Sequence, residues 1–142
     1  MEVVDLMRRR KMDVLCLQET KWKGDESVRI GDHQFVITGG DGMRNGVAIC
    51  LSPKYAKCLF EVSRVNNRLM MVRIDVGGTV VAIISAYAPQ SGLSREENED
   101  FYGAVDELIR TVDKNEMLWV AGDFNGHIGR DSEGFGKRMR IR

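Results

Sequence analysis

Met117-Leu118-Trp119-Val120-Ala121-Gly122-Asp123-Phe124-Asn125 is the stretch on which the reading of this chain turns. Residues 117–121 are apolar and predict a short buried strand, which Gly122-Asp123-Phe124-Asn125 brings to an end. Strand side chains alternate with period two, so Asp123 and Asn125 at the strand mouth face one side. A carboxylate and an amide on one side suit phosphoester hydrolysis, where the first orients the attacking water and the second donates to a phosphate oxygen. Two earlier stretches have the same form. Leu15-Cys16-Leu17-Gln18-Glu19-Thr20 is an apolar strand ending in a carboxylate, the hard oxygen ligand that Mg²⁺ accepts beside phosphate and water. Residues 80–84 lead through Ser85 and Ala86 to Tyr87-Ala88-Pro89-Gln90, a polar strand end beside a turn. Each alone is an ordinary strand end, since Asp, Asn and Gly are common there. Three in one small domain make a candidate site.

Four motifs together carry a resemblance: Met12-Asp13-Val14-Leu15-Cys16-Leu17-Gln18-Glu19-Thr20-Lys21-Trp22, Asn45-Gly46-Val47-Ala48-Ile49, Ser85-Ala86-Tyr87-Ala88-Pro89, and Ala121-Gly122-Asp123-Phe124-Asn125-Gly126-His127-Ile128-Gly129. In this order they resemble the endonuclease/exonuclease/phosphatase superfamily, and within it the endonuclease domains of non-LTR retrotransposons. They are most similar to the RTE-type elements and the craniofacial development protein 2-like proteins. The resemblance implies an α/β fold that is part of a four-layer α/β sandwich, two packed β-sheets flanked by helices. It implies a Mg²⁺-dependent phosphodiesterase, with Mn²⁺ as a substitute, that nicks DNA and leaves a 3′-hydroxyl to prime reverse transcription.

Carried over residue by residue, it makes Glu19 the metal ligand, Tyr87 the hydroxyl near the scissile phosphate, Asp123 the carboxylate that positions or activates the nucleophile, and Asn125 the holder of a phosphate oxygen. Lys21, Trp22, Arg44 and Asn45 are candidate nucleic-acid contacts. The chain also departs from the pattern. Family members begin with a strand bearing an Asn and end with a Ser-Asp-His motif, and this sequence carries neither. The expectation is therefore a truncated domain at 1–135, its carboxy-terminal half and most of its second sheet missing, followed by a short basic tail at 136–142. Little or no activity is expected of the chain as it stands. The competing readings are a non-catalytic remnant acting as a binding fragment, and a phosphatase-type member of the same superfamily.

Length agrees with a part-domain, because 142 residues fall short of the about 200–250 that α/β domains of this complexity run to. An exposed sheet face or edge, and with it self-association, is expected to follow. Lys and Arg number 21, as do Asp and Glu, so composition gives no broad basic footprint and any DNA contact must be a local patch. Cys16, Cys50 and Cys58 form no Cys-x-x-Cys pair and read as buried thiols of a reducing compartment, with neither disulfide nor zinc. No apolar run approaches a membrane span and no signal-peptide pattern opens the chain. An intracellular protein of nucleus or cytoplasm, not secreted, is expected.

The pattern predicts a helix at 2–11, strands at 13–18, 34–38, 47–51, 57–62, 68–76 and 79–86, and a polar loop through Ser27. The basic run Arg8 to Lys11 complements a helix carboxy-terminus. Gly77-Gly78 reads as a two-residue hairpin turn. Ser94 and Glu97 form a capping box ahead of a helix whose Phe101, Val105, Leu108, Ile109 and Val112 share one face. The glycine-rich run 39–46 lacks the Gly-Lys-Ser/Thr ending of a P-loop and reads as a hairpin loop. Asp32-His33 reads as a solvated turn, and His127 as a loop residue beside the site.

Overall fold

Val4 and Met7 lie three apart on the first helix, and neither has any solvent exposure. They mark the outermost layer of the molecule. The computed structural model describes residues 2–89 and 94–124. Helix α1 (Glu2–Arg9) rests Val4 and Met7 on Leu15, Phe35, Ile37, Ala48 and Cys50, the outer face of an antiparallel sheet. That sheet is made of β1 (Val14–Gln18), β2 (Glu26–Ile30), β3 (His33–Thr38) and β4 (Val47–Leu51) in the order β1-β4-β3-β2.

A short helix, α2 (Pro53–Ala56), leads into a second sheet of β5 (Leu59–Asn66), β6 (Leu69–Val76), β7 (Thr79–Tyr87) and β8 (Met117–Asp123), paired in chain order. Cys16, Val36, Ile49 and Leu51 of the first sheet meet Met70, Val72, Ile83 and Ala121 of the second in a shared core. The second sheet's other face carries Leu69, Met71, Ile84 and Val120 against Phe101, Val105 and Leu108 of helix α3 (Arg95–Arg110). The order of layers is helix, sheet, sheet, helix. Alternation dictates it, since a strand flanked on both sides must be apolar at every position, as β4 is.

Helix α3 begins where the capping residues place it: Ser94 Oγ accepts from the Glu97 amide at 3.1 Å. It carries the chain across so that β8 lies parallel to β7, while β5–β6 and β6–β7 are antiparallel hairpin pairs. At Gly122 the two parallel strands come so close that an added β-carbon would run into the Ala86 carbonyl oxygen. Arg64 of β5 ties the sheets together at the other flank, its Nε donating to the Ile37 carbonyl at 3.2 Å and Nη2 to the Glu26 carbonyl at 3.3 Å.

Several expectations need correction. The second sheet is not missing: four of its strands are present and the two inner faces pack on each other, so the expected bare sheet face is not found among the described residues. What stays open is strand edge, because among the described residues β1, β2, β5 and β8 each pair on one side. Residues 26–30 are an edge strand, β2, whose alternation of polar and half-buried residues looked like loop. His33 is not solvated: only 3% of it is exposed, and its Nδ1 lies 2.8 Å from Asp32 Oδ1. Cys16 and Cys50 are buried, and burial, with Cys16 nearby, pushes the Cys50 thiol up to about 12. Cys58, by contrast, is half-buried in the turn before β5. The basic tail at 136–142, Asn125 and His127 lie outside the described residues.

Asp32 bridges Arg8 of α1 (Nη2 to Oδ1, 2.7 Å) and His33. The hydrogen bond from Arg8, then that from His33, lowers its carboxyl to about 2 from 3.8. A depressed folded-state value stabilises above the unfolded value and is lost as pH falls through the folded one. Urea midpoints of the protein and Asp32→Asn are expected to differ most at pH 5 and to converge as pH falls from about 4 to about 2. Gly122→Ala, which forces backbone apart, is expected to cost about 3 kcal/mol in urea unfolding, at the upper end for overpacking.

Candidate active site

β7 and β8 end in register, with Tyr87 opposite Asp123. The Ala88 amide donates to the Asp123 carbonyl at 2.8 Å, which extends the pairing one step past the strand. Period-two alternation puts Ile83, Ser85 and Tyr87 on the inner face of β7, and Trp119, Ala121 and Asp123 on the inner face of β8. Tyr87 is buried to 5% exposure within that inner core, whereas Asp123 is exposed at its strand end. The phenol is therefore packed and the carboxylate meets water.

β1 ends at the same edge. Gln18 Nε2 donates to Ser85 Oγ at 3.3 Å, and Ser85 Oγ donates to the Leu17 carbonyl at 3.3 Å, joining the two sheets two residues before Tyr87. Immediately after Gln18 the chain leaves strand geometry: Glu19 (φ 54°) and Lys21 (φ 57°) are both left-handed, as is Asn45 (φ 62°) in the loop before β4. Non-glycine residues in this region cost about 1–3 kcal/mol each and persist only when their surroundings over-determine them. Here the surroundings are backbone bonds between the loops. The Thr20 amide donates to the Gly46 carbonyl at 3.1 Å and the Lys21 amide to the Asn45 carbonyl at 2.8 Å. Gly46 itself (φ 97°) abuts the Thr20 side chain and has no room for a β-carbon.

The tie continues into the β5–β6 hairpin, which sequence reasoning passed over. The Gly46 amide donates to the Asn67 carbonyl at 2.8 Å, and Asn45 Nδ2 lies 3.5 Å from Asn67 Oδ1. The Tyr87 amide donates to the Arg68 carbonyl at 2.8 Å, Arg68 Nη1 donates to the Tyr87 carbonyl at 3.2 Å, and the guanidinium lies 5.2 Å from the centre of the Tyr87 ring. A signal was present in Asn66-Asn67-Arg68: Asn66 Oδ1 accepts from the Arg68 amide at 2.8 Å, an Asx turn that polar turn residues announce. What the sequence could not show was that this turn meets the loop before β4.

Of the residues singled out, Glu19, Lys21, Asn45, Tyr87 and Asp123 thus lie at one end of the sandwich, joined through Gln18–Ser85 and Asn67–Arg68. Trp22 is 40% exposed and donates its Nε1 hydrogen to Glu26 at 3.1 Å. Arg44 is exposed on the β3–β4 loop. Asn125 belongs to the residues not described. No cluster of three or more His, Cys, Asp or Glu suited to a metal occurs among the described residues.

Layers in the order helix, sheet, sheet, helix, with polar strand ends gathered at one edge, define a four-layer α/β sandwich. The family model described as Endonuclease/Exonuclease/phosphatase family matches residues 2–138, and the chain belongs to that family. Members are typically phosphodiesterases or nucleases and generally use divalent metal ions. The chain is similar to craniofacial development protein 2 of Bos taurus, 27% identical over 124 residues, covering 87% of this chain and 21% of that protein. It is also similar to the transposon TX1 uncharacterized 149 kDa protein of Xenopus laevis, 26% identical over 137 residues, covering 87% of this chain and 10% of that one. The chain thus spans about a fifth or less of the curated relatives it matches. Among solved structures, D. rerio TDP2 complexed with single strand DNA product superposes with a TM-score of 0.65 at 15% identity, over 87% of this chain and 52% of that chain.

The cross-sheet bond gives a direct test of how this end is closed. A double-mutant cycle of Gln18→Ala and Ser85→Ala in urea is expected to return a coupling of about 1 kcal/mol, the net worth of one part-buried neutral hydrogen bond. Additive single-mutant effects would mean that the sheets are held at this end by other contacts.

Proposed function

We propose that this domain hydrolyses DNA phosphodiesters with Mg²⁺, as a nicking endonuclease of the retrotransposon type, and that the 142-residue chain by itself turns over slowly. The observation that carries the reading is the pairing of Tyr87 with Asp123 at the sandwich end where the Glu19 loop is tied. Residues 1–135 are taken as the part-domain and 136–142 as a basic tail. Relationship to a transposon protein and the DNA product held by the TDP2 structure support DNA as the substrate class.

Asp123, exposed at its strand end, orients the attacking water and takes its proton. The Tyr87 hydroxyl stands by the scissile phosphate, its ring position set by the core on one side and the Arg68 guanidinium on the other. Asn125 donates to a phosphate oxygen. Lys21, Trp22, Arg44 and Asn45 contact the strand on either side. The donor set suits Mg²⁺, which takes one or two carboxylates and completes its shell with water and substrate phosphate. Glu19, an exposed carboxylate, would hold it. When bound, the ion stabilises charge developing on the phosphoryl oxygens.

The sequence carries no Ser-Asp-His. A positioned acid–base group is worth about 10²–10⁴-fold, and groups acting as a unit fail together when one is lost. Supercoiled-plasmid nicking with Mg²⁺ is the test, comparing this chain, a version extended with the family's carboxy-terminal half, and Asp123→Ala in each. The extended version is expected to nick far faster than the chain alone and to lose that activity in Asp123→Ala. An extended protein that nicks equally well without Asp123 would remove its assigned role, and fast Asp123-dependent nicking by the unextended chain would overturn the slow-turnover half of the proposal. Mn²⁺ relaxation is expected to show weak binding that Glu19→Ala abolishes.

A further inference from the structure

Strand β6 breaks its own pattern. Leu69 and Met71 are buried on the face that α3 covers, and alternation puts Arg73 on that face too, where the pattern calls for another apolar side chain. The Arg73 side chain is only 11% exposed. Its Nε donates to Glu116 Oε1 at 2.9 Å, its Nη2 to the Thr111 carbonyl at 2.9 Å, and its Nη1 to Glu61 Oε2. Thr111 caps the end of α3, Glu116 stands immediately before β8, and Glu61 belongs to β5. One guanidinium therefore joins the end of the crossover helix and the start of the strand after it to the sheet. Glu116 is also held from its other side, Oε2 accepting from the Asp113 amide at 2.9 Å. That bond first, and Arg73 second, keeps the Glu116 carboxyl below its ordinary range.

A buried ion pair adds little stability over apolar residues of the same size, and its best-attested use is to fix register. Register is what β8 needs. Leu118 and Val120 face α3 while Trp119 and Ala121 face the inner core, so a slip of two residues along β7 keeps every apolar side chain of β8 on its own face. Such a slip carries Asp123 about 7 Å from its place opposite Tyr87. Alternation thus selects the face of β8 and leaves its position along β7 to other contacts. Gly122 resists slip by exclusion, since no side chain fits against Ala86. At the other end of the strand Glu116 is the charge that precedes the apolar run, and Arg73 is the cation that holds it.

We propose that Arg73 is a positioning residue for Asp123: by holding Glu116 and the end of α3 it sets the register of β8 on β7, and so decides which residue of β8 stands opposite Tyr87. It acts from the far end of β8 and touches no residue of the candidate site. Its bearing on catalysis rests on the DNA-hydrolysis reading above. The register itself is measured without DNA or metal, so either reading can fail alone.

The test is NMR of the isotope-labelled 142-residue chain. Cross-strand NOEs report Tyr87 opposite Asp123, and the NOEs of β6 with β5 and β7 report the rest of the sheet. The parent is expected to show one set of β8 peaks with the Tyr87–Asp123 NOEs. Arg73→Met, apolar on an apolar face, is expected to show a second β8 set that lacks them, while the β5–β6 and β6–β7 NOEs are kept. The ratio of displaced to native strand is expected to rise about 10–100-fold, the scale of one hydrogen bond to a charged group. Arg73→Lys, which keeps the charge, is expected to fall between parent and Arg73→Met. The double variant Arg73→Met with Glu116→Gln leaves no charge of this pair buried alone, and it is expected to fold and to show the same second set. A single native set with its Tyr87–Asp123 NOEs in either Met variant overturns the proposal. So does a loss of NOEs that spreads evenly over both sheets in the double variant, which would make Arg73 a general stabiliser.

Discussion

The parallel pairing of β7 with β8 is the constraint on which the rest of the site depends. It brings Tyr87 and Asp123, separated in sequence by the whole of α3, into adjacent positions. Parallel pairs need a crossover, and α3 supplies it with one apolar face on the sheet and a capped start at Ser94. The close approach at Gly122 leaves no room for any side chain. A glycine there sets the spacing of the two strands just before the carboxylate, so the same residue that reads as a turn signal in the sequence acts in the fold as a spacer.

The second constraint is the network of loops above the strand ends. Glu19, Lys21 and Asn45 adopt left-handed backbone on two loops bonded to each other, and the bonds that hold them run from the loop after β1 to the loop before β4 and on to the β5–β6 hairpin. Each loop alone would relax. Together they hold Glu19, Asn45 and Arg68 on a frame that neither sheet provides by itself. The inner core and Arg64 keep the sheets at fixed separation, which lets one hydrogen bond from Gln18 to Ser85 close the gap at this end.

Much of this was legible in the chain because its signals are local. The apolar runs ending in Glu19, Tyr87 and Asp123 gave strands with polar ends, Gly77-Gly78 gave a hairpin, and the Ser94–Glu97 spacing gave the start of α3. The strand β2 was not legible, since an edge strand exposes one face and Glu26-Ser27-Val28-Arg29-Ile30 carries charges where a buried strand would not. How much of the second sheet is present was misjudged for a different reason. Alternation tells which side of a strand is buried but not which partner covers it, and the antiparallel hairpins look alike in either sheet. His33 was misread because its burial comes from the packing of its strand and its bond to Asp32, itself held by Arg8 twenty-four positions away. The candidate residues at strand ends were singled out by pattern; Asn67 and Arg68, which join them through long-range loop contacts, were not.

The crossover also orders events in time. The β5–β6–β7 meander can form as its residues emerge in sequence, because each of its pairs is joined by a tight turn. The pairing of Tyr87 with Asp123 closes a far longer loop, since the whole of α3, packed against Leu69, Ile84 and their neighbours, lies between the two strands. Local contacts form early and distant ones late. A chain in which β8 is not yet docked therefore holds the Tyr87 phenol and the Asp123 carboxylate apart.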